Sequence, residues 1–349
     1  MTLSPEEIRE LPKVVLHDHL DGGLRPGTVW ELAAERGHKL PVSDPAQLAD
    51  WFFAAADSGS LVRYLETFEH TVAVMQTAAQ LRRVAREWVL DLAADGVIYG
   101  EARWAPEQHL RAGLTLDAAI AAVGEGLREG MDEAASQGLE MAARQLVTSL
   151  RHTPPSAELG ELAIGGAKHL VCGFDLAGPE DGYPAELHER PFKYLRAAWV
   201  PITIHAGEAA GLDSIVGALS QGALRLGHGA RLVEDLEATA DGWHLGPVAT
   251  WVRDRRIALE MCPSSNLQTG VAGSIGEHPF GLLAELDFPV TVNCDNRLMS
   301  RTSMSRELTL LTEAFGYGHA EVTRFMLNAA HSAFVHYHQR QELIEQIRG

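Results

Sequence analysis

Eight short apolar or β-branched runs recur along the 349 residues, most with Gly, Asp, His or Glu in their last residues and each followed by a longer Ala/Leu/Glu/Arg-rich segment with helical periodicity. The runs are VVLHDHL (14–20), VIYGEARW (97–104), RQLVTSL (144–150), VCGFDLAG (171–178), PITIHAGE (201–208), LRLGHGA (224–230), RIALEMCP (256–263) and FPVTVNCDN (288–296). Strict alternation of strand and helix favours a closed parallel barrel over an open sheet, because each helix must return the chain to start the next strand in the same direction. The expected fold class is therefore α/β, a (β/α)8 TIM barrel. A helical stretch between Asp44 and Gln80 contains no strand of its own and is expected as an insertion after the first strand, capping one end of the barrel. No linker-like Pro, Gly or Ser cluster and no internal repeat interrupts residues 1–349, so one domain is expected.

The composition narrows the partners. No apolar run approaches the ~18 residues that would suggest a membrane span. A formal net charge of −18, without a basic cluster, disfavours nucleic acid and anionic lipid surfaces, leaving a neutral or cationic small molecule as the expected partner. Cys172, Cys262 and Cys294 are too few and too scattered for a disulfide framework or a CxxC metal knuckle. The opening MTLSPEEIRE lacks the basic-then-apolar pattern of a secretion signal, and a cytoplasmic location is expected. Oligomeric state is left open.

In a parallel barrel, chemistry collects at the carboxyl ends of the strands. His17 and His19 end the first run, His205 and Glu208 the fifth, His228 the sixth and Asp295 the eighth. Residues two apart on a strand share a face, so His17 and His19 can reach one point together, as a shared metal ion would require. A lone histidine is more often an ordinary hydrogen-bonded group, and the HxH pair alone leaves that reading open. Glu208 can return to the pocket of His205 through the turn at Gly207, or serve as an acid at the start of the next helix. Gly227 and Gly229 bracket His228, which suits close approach of a ligand and equally a glycine-rich turn. Asp295 needs a partner if buried, but Asp is also a common N-cap. Taken together, imidazoles and one carboxylate suit a borderline divalent ion such as zinc with positions left for water, and hydrolysis is the expected reaction class.

LPKVVLHDHLDG, DLAG, ITIHAGE, LGHG, CPSSN and VNCDN resemble, in order and spacing, the adenosine deaminases of the amidohydrolase superfamily, and the resemblance covers essentially the whole chain. It implies a (β/α)8 barrel holding one Zn2+ per subunit on His17, His19, His205 and Asp295. The implied reaction removes the 6-amino group of adenosine or 2'-deoxyadenosine hydrolytically, giving inosine or 2'-deoxyinosine and ammonia. Glu208 matches the family's proton donor to purine N1, His228 the residue that positions the attacking water, and Asp295 orients that water besides holding the metal. Gly178 matches the backbone donor to purine N3, and Asp21 the acceptor of the ribose 5'-hydroxyl, with a turn-capping carboxylate as the alternative for Asp21. Glu260 matches an acid that steadies His228, or else is an ordinary strand-end charge. Trp51, Phe52, Leu61 and Phe68 form either an apolar lid or a helix-packing core. The well-known animal enzymes carry a second aspartate after the metal aspartate, whereas Asn296 stands here; its NH2 can donate to the acceptor N7. The alternative is a deaminase of another aminopurine, such as adenine or an N6-substituted or modified nucleoside, on the same scaffold.

Overall fold

The computed structural model describes residues 3–349. Its strands are β1 Lys13–His19, β2 Val97–Trp104, β3 Ala142–Leu150, β4 Val171–Ala177, β5 Thr203–Ala206, β6 Arg225–His228, β7 Leu236–Thr239, β8 Gly242–Leu245, β9 Ala258–Met261 and β10 Val290–Val292. Two four-stranded parallel sheets, β1-β2-β3-β4 and β10-β9-β6-β5, are joined at both edges by isolated bridges, Phe174 to Ile202 on one side and Asp18 to Asp295 on the other. Eight parallel strands thereby close into the expected (β/α)8 barrel. At the second seam the His19 N–H donates to the Asp295 carbonyl at 2.7 Å and the Asp295 N–H to the His17 carbonyl at 3.0 Å.

The helices cover this barrel through apolar stripes. In Ala78–Ala94, the buried residues Leu81, Val84, Ala85, Trp88, Val89 and Leu92 follow the three-and-four spacing that keeps one face on the strands. Thr77 and Gln80 close its amino end as a capping box. All eight expected strands are present, but several are shorter than the apolar runs: 288–296 contributes only Val290–Val292, and 201–208 only Thr203–Ala206. The runs continue past the ladder because their last residues turn into the mouth. The antiparallel hairpin β7–β8 was not expected; LEAT and GWHL lie largely exposed, so neither carries an apolar alternation.

Between Asp44 and Gln80 the chain forms the helices Leu48–Ala56, Leu61–Glu66 and Phe68–Ala73 and enters Ala78–Ala94, without a strand. The apolar side chains of this stretch fall in two places. Phe52 is wholly buried in the core with Trp51 packed edge-on against it, whereas Leu61 and Phe68 line the cavity at the barrel mouth. Among the described residues, no helix is long and apolar enough to cross a membrane.

Charged side chains fill the barrel interior beneath that mouth. Glu260 on β9 meets Arg103 of β2 at 2.7 Å and Arg225 of β6 at 2.6 Å, and Arg225 also meets Glu101 of β2 at 2.6 Å. All four are at most 1% exposed. Opposite charges alternate across the axis, as buried ions must to remain charged.

Candidate active site

The carboxyl ends of β1, β5 and β6, with the loop after β10, bring His17, His19, His205, His228 and Asp295 together. Ligand atoms of His17, His205, His228 and Asp295 all lie within 4.8 Å of one another. His19 Nε2 is 3.2 Å from His205 Nε2 and 3.4 Å from Asp295 Oδ1, the oxygen that His17 Nε2 approaches at 3.3 Å.

The outer hydrogen bonds distinguish these imidazoles. His205 Nδ1 faces Asp175 Oδ1 at 3.1 Å, and His17 Nδ1 faces Glu260 Oε2 at 3.2 Å. A carboxylate can only accept, so the hydrogen of a neutral His205 sits on Nδ1 and its Nε2 lone pair points into the cluster, whereas His17 has a carboxylate beside each ring nitrogen. His17 Nε2 is buried there without a hydrogen-bond partner. Lone pairs and a carboxylate converging on one point need a cation, and this donor set of nitrogens and one oxygen suits zinc. Burial favours neutral rings for most of the group: it lowers His19 to about 3, and also lowers His205 and, more strongly, His228. His17 is the exception; burial and Arg103 push it down, but the adjacent Asp295 and Glu260 carboxylates outweigh them and raise it. Asp295 is held well below the usual carboxylate range, since His17, His19 and His228 outweigh the cost of its burial. Ser265 donates to its other oxygen, Oδ2, at 2.5 Å.

Glu208 lies beside this cluster. Its Oε1 accepts from Thr269 at 3.0 Å and its Oε2 is 3.4 Å from His228 Nε2. Burial pushes its carboxyl well above the usual range, and the negative charges of Asp295 and Glu180 push the same way. The shift favours the protonated carboxyl. The turn at Gly207, with φ 73°, delivers Glu208 into the cavity, and Glu180 anchors the turn by accepting from the Glu208 and Ala210 N–H groups at 3.3 and 2.5 Å. His228 itself has φ 64°, and at Gly227 a Cβ would stand 2.9 Å from the His205 Cα, so only glycine lets β6 run this close to β5.

Asp21, Gly178 and Asn296 line the same cavity of about 1020 Å3. Asp21 is 5% exposed; one oxygen lies 3.6 Å from His109 Nε2 while Oδ1 has no hydrogen-bond partner. Asn296 turns Oδ1 against Gly22, where a Cβ would stand 1.8 Å away, and that oxygen is likewise unpartnered.

Glu260 departs from its expected role. It meets His17, Arg103, Arg225 and Thr203, not His228, because its strand position faces the barrel axis below β1. The partner of His228 is Asn266, with Nδ2 at 3.0 Å from its Nδ1. Asp175, Ser265, Asn266, Thr269 and His109 were not singled out from the sequence. Asp175 and the pair Ser265–Asn266 sit inside the quoted DLAG and CPSSN neighbourhoods, which were the available signal.

An eight-stranded α/β barrel with imidazoles and acids gathered at the carboxyl ends of its strands defines a metal-dependent hydrolase of barrel type. The adenosine deaminase family model matches residues 12–349. An adenosine deaminase of Mycobacteroides abscessus is 53% identical over 343 residues, covering 97% of this chain and 95% of that protein. Adenosine deaminase 1 of Streptomyces coelicolor is 54% identical over 349 residues, covering 99% and 88%. Among solved structures, an Arabidopsis N6-mAMP deaminase superposes with a TM-score of 0.83 at 25% identity, covering 98% of this chain and 99% of that one. The chain belongs to the adenosine deaminase family.

Proposed function

We propose that residues 1–349 work as one barrel domain that hydrolyses the 6-amino group of adenosine and 2'-deoxyadenosine, releasing ammonia and leaving inosine or 2'-deoxyinosine. The observation that carries this reading is the placement of Glu208, its carboxyl raised by burial, beside His19, His205, His228 and Asp295 in one cavity of a family member, with His17 buried against them. Those four residues would hold one zinc ion, whose Lewis acidity makes water a nucleophile near neutral pH.

The protein's own groups meet the remaining needs of attack at C6, which costs ring aromaticity and places negative charge on N1. Glu208 gives its proton to N1, and that charge is neutralised as it forms. His228 presents a ring N–H on the side of the incoming oxygen and orients it. Asp295 orients the attacking water through the same carboxylate that Ser265 steadies, and the proton that water gives up passes to the 6-amino group as the C6–N bond breaks, so that ammonia leaves. Gly178 N–H reaches N3, the Asn296 NH2 donates to N7, and the free oxygen of Asp21 accepts from the 5'-hydroxyl. Leu61 and Phe68 shield the site from bulk water. A second reading, an aminopurine carrying a larger or altered substituent, is favoured by the size of the cavity, about 1020 Å3.

Ammonia release from a panel of adenosine, 2'-deoxyadenosine, adenine and N6-substituted nucleosides tests the reading. Adenosine and 2'-deoxyadenosine are expected to lead the panel, and Glu208→Gln to lose at least ~100-fold in kcat while keeping zinc and nucleoside binding. Near-normal turnover in that variant removes Glu208 from the mechanism.

A further inference from the structure

Asn266 is wholly buried next to Ser265, yet it does not line the cavity. Its amide bridges two histidines: Nδ2 lies 3.0 Å from His228 Nδ1, and Oδ1 lies 3.2 Å from His278 Nε2. His278 Nδ1 in turn accepts from the backbone N–H of Phe280 at 3.1 Å. His278 and His228 are 2% and 1% exposed, so water cannot substitute for these partners.

A backbone N–H can only donate, and this fixes the direction of every bond in the series. With His278 Nδ1 accepting, the hydrogen of the neutral ring must sit on Nε2. Asn266 Oδ1 accepts it, which turns the amide NH2 toward His228 Nδ1. The hydrogen of His228 is then on Nε2, facing Glu208 Oε2 at 3.4 Å. Reversing the order would aim a ring N–H of His278 at the N–H of Phe280, two donors in contact at a buried site, and leave both unsatisfied. Burial lowers His278 to about 4, in keeping with a neutral ring.

We propose that Asn266 and His278 are positioning residues that transmit hydrogen-bond polarity from the Phe280 backbone to His228, holding His228 as an N–H donor toward the reacting centre. The proximity that groups His228 with His17, His205 and Asp295 then does not make it a ligand, because its Nε2 carries a hydrogen where a metal needs a lone pair. The kinetic consequence rests on the deamination reading; the tautomer does not.

The test is 15N NMR of the histidine rings in the zinc-loaded protein, combined with kcat and KM for adenosine. Wild type is expected to show His228 with pyrrole-type Nε2 and pyridine-type Nδ1. Asn266→Leu, similar in size but without hydrogen bonds, is expected to give mixed tautomers at His228 and a roughly tenfold or larger loss of kcat with little change in KM. His278→Gln, which can still donate to Asn266, is expected to keep the wild-type tautomer and most of kcat. Should Asn266→Leu not fold, His278→Leu is read in the same way. A wild-type His228 protonated at Nδ1, or an unchanged tautomer in the variant lacking the amide or the imidazole, overturns the proposal. If wild type releases no ammonia from any aminopurine, the functional reading fails while the NMR still decides the relay.

Discussion

His228 and Asp295 adopt φ values of 64° and 59°, a left-handed backbone that costs a side-chain-bearing residue about 1–3 kcal/mol. Each ends a strand run and must turn its side chain into the mouth, where the hydrogen bonds from Asn266 and Ser265 hold it. The same neighbourhood carries a pH dependence. His278 has a folded pKa of about 4 against about 6.5 unfolded, so on acidification the unfolded chain takes up the proton first. Stability from this residue is therefore intact above about pH 6.5 and falls as the pH drops toward 4. Between pH 7.5 and 5 the loss is about 2 kcal/mol, and His278→Gln should lack it. Urea unfolding of both proteins at the two pH values checks this; equal acid losses would contradict it. His17, His19, His205 and His228 could be picked out in the sequence because each closes a strand run. His278 could not, since it lies in an ordinary loop and acquires its meaning only through Asn266.

At the scale of elements, the decisive feature is the seam where β1 meets the loop after β10. Its two hydrogen bonds are made by backbone atoms of His17, His19 and Asp295, so removing the Asp295 side chain leaves them in place. Asp295→Ala is accordingly expected to stay folded but to lose zinc on dialysis, with affinity falling by more than the roughly 10–100-fold typical of losing an outer partner. Metal analysis checks this, and full stoichiometry would remove Asp295 from the ligand set. The eight barrel strands were legible because a strand buried on both faces reads as a continuous apolar run. Hairpin β7–β8 was not, because its residues face solvent and its pairing is local. Glu260 was assigned the wrong histidine because strand periodicity gives the face of a side chain but not which neighbour stands across the axis.

On the scale of the whole molecule, the charged interior ties opposite walls of the barrel together. Glu101 accepts from Tyr99 at 2.9 Å and from the Phe334 N–H at 2.7 Å, besides pairing with Arg225. Glu101→Ala would strand part of a buried guanidinium and an N–H, and is expected to cost about 3–5 kcal/mol. The solvent-facing pair Arg25–Asp91, at 2.6 Å, should contribute only about 0–1 kcal/mol despite its good geometry. Comparing the urea midpoints of Glu101→Ala and Arg25→Ala measures the contrast. This network could not be anticipated, since the spacing of Glu101, Arg103, Arg225 and Glu260 along the chain does not reveal that they meet.

Closing the barrel at β1 and β10 also orders events in time. His17 and His19 are synthesised well before Asp295, which follows some tens of seconds later at roughly 5–20 residues per second. Until then the nascent protein can offer imidazoles but no carboxylate to complete the set, so tight capture of the ion belongs to the finished polypeptide, and a prematurely terminated product is left without it.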